Sequence, residues 1–316
     1  MNPMLISLLA LGRLGRRLLL LALLATVGWP PPARAQRKVQ VLTRTIEQAL
    51  PCPAGTLVRI RAEKATLRVQ GWDKPTVQVV LRLIARHPER EVAEKELPMA
   101  RYQIDKSGGI IDLVNYFALP AGAPAIRSDL RAEYTVLMPA ANALQIVNAY
   151  GQTTLLDLTG KIRLEQNFGQ VTLQNLRGSF TGVTRYADLT GSNLNLVFDC
   201  EADKSALRLT GAGGSYAIRN RYGSVLLEPT AELKSVFVDA ERTEVSVGVP
   251  QLGMFNYRLS TAQGQLTVPA SLAAGQRKSL GHNVLETTNA ARLPLIRVVT
   301  SYAPITLQAL PLLIKR

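Results

Sequence analysis

Two histidines and two cysteines are all that 316 residues offer of those types. A histidine-rich metal site is therefore excluded, as is a disulfide-dense scaffold. Aromatic residues make up only 5% of the chain, so any ring that recurs at a fixed interval stands out. Neither Gly-x-Ser-x-Gly nor Ser-x-x-Lys occurs, which removes the common serine-nucleophile signatures. No apolar run after residue 35 approaches the roughly 20 residues that a spanning helix needs. Acids are also scarce: 23 Asp and Glu stand against 37 Lys and Arg, a formal charge of +14.

The first 35 residues read as a leader. Arg13, Arg16 and Arg17 precede the apolar run Leu18 to Val27, and Ala33-Arg34-Ala35 supplies a small-x-small cleavage site. Cleavage there makes Gln36 the first mature residue and implies export to the periplasm, cell surface or exterior. It removes four arginines and no acid, which takes the charge from +14 to +10. A basic exported chain meets anionic glycans or other envelope components through long-range attraction. The basic residues are scattered and no recognition motif accompanies them, so nucleic acid is not expected as a partner.

What the chain does have is a beat. Gly151, Gly160, Gly169, Gly178, Ala187, Ser205, Gly214 and Gly223 put a small residue at nearly every ninth position, with Leu196 the exception. Positions two and four of each unit are mostly apolar, and residues two apart share one face of a strand. Each unit is thus one short strand and one turn, with the closing glycine permitting the positive φ of a tight corner. Pairs of units make an 18-residue period. One column holds Ile146, Leu164, Gly182, Cys200, Ile218 and Val236, a second Leu155, Leu173, Gly191, Leu209, Leu227 and Val245, and both point inward. Gly182 and Gly191 mark a turn of thin packing. The fold expected is all-β: a parallel β-solenoid of about 18 residues per coil over residues 141–316. A strand-rich section over 36–140 leads into it and is continuous with it. His87 to Leu97, rich in charge and bounded by prolines, reads as a loop or short helix.

Ala132-Glu-Tyr-Thr-Val-Leu-Met-Pro139 followed by Leu144-Gln-Ile-Val-Asn-Ala-Tyr-Gly151 resembles a family of exported bacterial proteins, the putative adhesins with β-strand repeats. Ala65-Thr-Leu-Arg-Val-Gln-Gly-Trp-Asp73 with Val77-Gln-Val-Val80 resembles it too. The resemblance implies a solenoid stalk or head at the cell envelope and carries over no catalytic residue.

Several residues invite a chemical reading. Tyr150, Phe168, Tyr186, Lys204 and Tyr222 form one column at the 18-residue interval. It is either a packing ladder or an exposed stacking track for glycans. Asn148, Gln166 and Asn220 stand two residues before it, placed to satisfy turn backbone. Asp199, Glu201 and Asp203 alternate along one strand, roughly 6.6 Å apart. We read them as a solvated outer face on which Lys204 pairs with the acids. The alternative is a polysaccharide-active β-helical enzyme with these three as its carboxylates. Cys200 falls in the first inward column as a buried thiol, and a bridge to Cys52 stays open. Corners without repeating aspartates lack the ligands of calcium-binding β-rolls. Gly211-Ala-Gly-Gly214 leads into a strand-like run and reads as a turn. No cofactor is implied. The chain is expected to be a non-catalytic adhesin-like scaffold or binding module of the envelope. A structural or sensor subunit of an envelope complex is a further alternative.

Overall fold

The computed structural model describes residues 39–122, 124–287, 290 and 292–311. The leader expected over residues 1–35 lies outside the described residues. Strand accounts for 72% of the structure and helix for 6%, so the chain is all-β. Seventeen strands among the described residues hydrogen-bond into one large mixed sheet.

The first part contains β1 (Gln40–Pro51), β2 (Leu57–Ala62), β3 (Ala65–Trp72), β4 (Thr76–His87), the helix α1 (Arg90–Glu96), β5 (Ala100–Ser107), β6 (Ile110–Phe117) and β7 (Asp129–Pro139). The charged segment after His87 is thus a short helix, anchored by buried Val92 and Ala93. Next come β8 (Leu144–Leu156), β9 (Lys161–Arg185), β10 (Ala187–Asp203) and the long, bent β11 (Ala206–Val249). The last part holds β12 (Asn256–Ala262), β13 (Leu266–Thr267), β14 (Gln276–Ser279), β15 (His282–Thr287), β16 (Leu295–Ser301) and β17 (Ile305–Ala309).

From β8 to β11 the pairing is parallel and the register steps by one repeat. Ile146 opposes Leu164, Phe180 opposes Phe198, and Cys200 opposes Ile218. Every side chain therefore sits over its own equivalent, and the apolar members of both expected inward columns are buried in one core cluster. At the expected thin turn the packing is full. A Cβ on Gly182 would lie 2.5 Å from the ring of Phe180, and one on Gly191 would lie 2.6 Å from Leu194 Cδ1. The glycines are small because larger neighbours lean over them. Phe180 stacks on Phe198 at 4.9 Å, and Phe198 meets Tyr216 at 5.3 Å with planes tilted by 34°. This inner aromatic column also repeats every 18 residues, yet its period is easy to overlook because only three positions carry rings.

Pairing is not parallel throughout. β2 and β3 extend the ladder beyond β8, and β6 and β7 extend it again, all in parallel. There it turns antiparallel: β5 joins β6, β4 joins β7, and β1 joins β4. At the other end β16 and β17 pair in parallel with β11, and β12 and β13 with them. β15 and β14 then close the sheet antiparallel. For one of these pairs the reason is local: β5 and β6 are joined through Gly108 and Gly109, both with positive φ, and so short a link admits only an antiparallel partner.

The corners differ from expectation in who carries the positive φ. Gly151, Gly169, Gly178 and Gly214 do carry it, but at the corners of Ala187, Ser205 and Gly223 it falls on Tyr186, Lys204 and Tyr222, one residue before the small one. The small residue is needed there for closeness: a Cβ on Gly223 would collide with the carbonyl oxygen of Ser205. The opposite corners are turned by Asp157, Asn175 and Asn193, all near φ 50 to 55°. Their amides form a ladder, Asn193 Nδ2 donating to Asn175 Oδ1 at 2.7 Å and Asn175 Nδ2 to Asp157 Oδ1 at 3.0 Å. Short amide and carboxylate side chains tolerate the left-handed region better than other residues do.

Candidate functional site

The corner that precedes Gly151, Gly169, Ala187, Ser205 and Gly223 presents the column Tyr150, Phe168, Tyr186, Lys204 and Tyr222 outward. Beneath it the amides perform the expected task. Asn148 Nδ2 donates to the carbonyl of Ala65, Gln166 Nε2 to those of Gly151 and Phe168, and Asn220 Nδ2 to that of Ser205. With backbone and amides fixed inside, the side chain at the corner projects into solvent. Tyr150 is 49% exposed, Phe168 40%, Tyr186 49% and Tyr222 43%.

The rings nevertheless stack. Tyr150 and Phe168 lie 4.9 Å apart with planes 6° from parallel, and Phe168 and Tyr186 lie 5.3 Å apart at 15°. Neighbours occupy both faces of Phe168 and Tyr186, so at the centre of the column solvent meets ring edges and the Tyr186 hydroxyl. Where the aromatic series breaks, cations take over. Lys204 Nζ sits 4.7 Å from the centroid of Tyr186 and donates to its hydroxyl at 2.7 Å. Arg242 lies over Tyr222 at 5.5 Å and over Tyr302 at 5.8 Å, and its Nη1 donates to the Tyr222 hydroxyl at 3.2 Å.

Arg242 and Tyr302 are new members of the column, and Lys64 is a third. Lys64 precedes Ala65, which pairs with Gly151; Arg242 and Tyr302 follow the paired Glu241 and Ser301. All three share the positive φ of the corner. Counting by 18 from Tyr222 lands on Ala240, which is buried, because the chain carries two extra residues before its next corner. The run Thr300-Ser301-Tyr302-Ala303, similar to the repeat unit, was the visible signal for Tyr302. Two shallow depressions flank the first ring. One, of about 180 Å³, includes Arg185 and Asn167 beside Tyr150, Phe168 and Tyr186. The other, of about 230 Å³, includes Lys64, Asp129 and Arg131 beside Tyr150.

Asp199, Glu201 and Asp203 do share the outer face of β10. Lys204 donates to Tyr186 and feels the charge of Asp203 alone among these acids, while Asp199 and Glu201 pair with Arg219 on the adjacent strand. Arg219 Nη2 lies 2.9 Å from Glu201 Oε1 and 3.4 Å from Asp199 Oδ1. Glu201 and Asp203 line a charged groove of about 360 Å³ with Arg221, Asp239 and Glu241. A carboxylic acid that donates a proton in glycoside hydrolysis needs an apolar surrounding that holds it neutral. Here two of the acids are about half exposed and share one guanidinium.

Cys200 and Cys52 are free thiols and both are buried, so the bridge that spacing left open is not formed. Burial pushes the Cys200 thiol up to about 12, with the charges of Asp199 and Glu201 acting in the same direction. A thiol so placed is a core group rather than a nucleophile. Among the described residues, no group of three or more His, Cys, Asp or Glu is placed to hold a metal ion. No helix among them is long and apolar enough to cross a membrane.

No family model matches the sequence, and no curated protein matches it. Three solved structures are similar over most of the chain. A putative cell adhesion protein from Clostridium sporogenes has 9% identity and a TM-score of 0.27, covering 86% of this chain and 100% of its own. A putative adhesin from Bacteroides fragilis has 6% identity and a TM-score of 0.38, covering 84% and 97%. A putative lipid binding protein from Parabacteroides distasonis has 9% identity and a TM-score of 0.35, again covering 84% and 97%. At these values none of them assigns an activity to this chain, and its own side chains must carry the functional reading.

Proposed function

We propose that the protein is an exported, non-catalytic β-solenoid of about 18 residues per coil that serves as an adhesin-like scaffold or binding module at the cell envelope. Residues 1–35 are its leader, residues 36–140 its N-terminal β-rich section, and residues 141–316 its repeats. The partner is an anionic glycan or another envelope component. The observation that supports this reading is the constant 18-residue parallel step from β8 to β11, which fixes like residues at regular intervals on rigid strands. A regular array on a stiff support suits attachment to a repetitive partner. A catalytic reading fits poorly, because Arg219 already ties up Asp199 and Glu201.

Fractionation of the native cell, with sequencing of the mature N-terminus, tests the reading. A chain beginning at Gln36 in the envelope or extracellular fraction, cross-linked to envelope polymer, is the expected result. Retention inside the cell with residues 1–35 still attached overturns it. Release of reducing sugar from envelope polysaccharide, abolished by Glu201→Ala, would return the protein to the enzymes.

A further inference from the structure

We infer that the corner ladder is a binding track for a linear anionic polysaccharide, an inference that rests on the envelope-binding function proposed above. The ladder runs from Lys64 through Tyr150, Phe168, Tyr186, Lys204 and Tyr222 to Arg242 and Tyr302. Seven strand spacings of ~4.8 Å make it about 34 Å long. No carboxylate occupies a ladder position; Asp203 and Glu241, one residue before Lys204 and Arg242, line the neighbouring groove instead. What the track presents is hydrogen-bond donors and positive charge: phenol O–H groups, two ammonium groups and a guanidinium. The Tyr186 and Tyr222 hydroxyls each accept a bond from a cation, Lys204 and Arg242 respectively. Their protons are thereby polarised and left free to point toward an acceptor.

The stacking geometry selects among anionic polymers. Single-stranded nucleic acid binds through bases laid on open ring faces. The faces of Phe168 are covered on both sides, by Tyr150 and Tyr186, and the outer face of Tyr186 is covered by Lys204. Neutral glycans likewise need an open face for their sugar rings. A polyuronate needs neither, since its carboxylate oxygens accept from donors presented edge-on, and charge-assisted bonds of that kind are the strong ones. Arg185 and Arg131, in the depressions on either side of Tyr150, are each paired with a carboxylate, Glu165 at 3.1 Å and Asp129 at 2.8 Å, so the positive charge of the track is that of Lys64, Lys204 and Arg242.

Binding of the full mature chain to a fluorescent decagalacturonate tests this, with a maltodecaose of equal length, a ten-residue oligothymidylate and phosphatidylglycerol vesicles as comparison probes. The decagalacturonate is expected to bind, more weakly as salt rises, and the other three to bind at least tenfold more weakly, a difference of ~1.4 kcal/mol or more. Lys204→Glu with Arg242→Glu should weaken decagalacturonate binding by about a hundredfold, and Tyr186→Phe with Tyr222→Phe by about tenfold. Arg163→Glu with Arg208→Glu, exposed positions outside the ladder, removes the same charge and should leave affinity within about threefold. Thermal melting of each variant checks that the fold is kept. Equal losses at ladder and control positions would mean that net charge alone attracts the polymer. Tighter binding of oligothymidylate or vesicles would assign the track to another partner. Failure of decagalacturonate to bind overturns the ligand while leaving the fractionation result to judge the scaffold separately.

Discussion

The ladder from β8 to β11 and the segments that flank it are held by different chemistry. In the middle, each residue rests on its own copy, so apolar columns, the Phe180–Phe198 stack and the Asn175–Asn193 amide ladder recur by symmetry. In the flank before residue 140 the apolar columns run on, Ile60 beside Ile146 and Val69 beside Leu155, but at no fixed sequence interval, and individual polar bonds add to the fastening. Arg59 grips Asp112 with two nitrogens, one at 2.6 Å, and holds that carboxyl below its ordinary value. Burial pushes the Glu96 carboxyl up, but bonding by Ser128, side chain and backbone, and by the backbone N–H of Arg127 outweighs it and holds the group low. The difference shows what each region must achieve. A repeating middle gains from any residue that stacks well, whereas an end must stop the stack, since an open row of strand N–H and C=O groups invites further pairing.

Four measurements break or sharpen this contrast. Phe180→Ala removes a ring from the repeating stack and empties the space above Gly182, so urea unfolding should show a loss of about 3–5 kcal/mol. Gly169→Ala should cost more than about 2 kcal/mol, because its new Cβ meets the Gly151 carbonyl in a left-handed backbone. Gly109→Ala, in the open turn of a flank, should cost only about 1 kcal/mol of strain. Equal losses at the two glycines would mean that rung-to-rung closeness is not what the middle requires.

A pH series separates the regions by sign. The Cys200 thiol is raised in the fold from an ordinary value of 9.0 to about 12. Its contribution is present in full below about pH 9 and declines above it by about 1.4 kcal/mol per pH unit. Cys200→Ala should flatten that part of the alkaline decline. Glu96 and Asp112 are lowered in the fold, so their contribution is present at neutral pH and is lost as pH falls through those depressed values. Glu96→Gln should reduce the acid-side slope and leave the alkaline side unchanged. The smallest effect belongs to the exposed pairs: Arg219→Ala should change stability by less than about 1 kcal/mol.

The all-β class, the 18-residue step and the burial of Cys200 were legible because each follows from periodicity, which needs no long-range information. The antiparallel place of β4 was not legible. It depends on which strand arrives beside β7, and Thr76–His87 carries no pattern that states its partner. At the site, the outward ring column could be read, but its occupied faces could not, since they follow from the 4.9 and 5.3 Å spacing rather than from residue type. Arg242 escaped notice because two inserted residues broke the count. The Asp157–Asn175–Asn193 corner stands at fixed spacing, three residues before the ninth-position marks, but Asp and Asn take the left-handed region less regularly than glycine and so mark a corner less plainly.

The constant offset between β8, β9 and β10 makes length a quantised trait. Excising residues 169–186 would bring Gly151 opposite Ala187 and join two rungs that already accept the same neighbour, while duplicating that segment would add one graduation of ~4.8 Å. Such a chain behaves as an adjustable ruler. Its reach can be lengthened or shortened by whole units of sequence, with no need to redesign the two ends that terminate it.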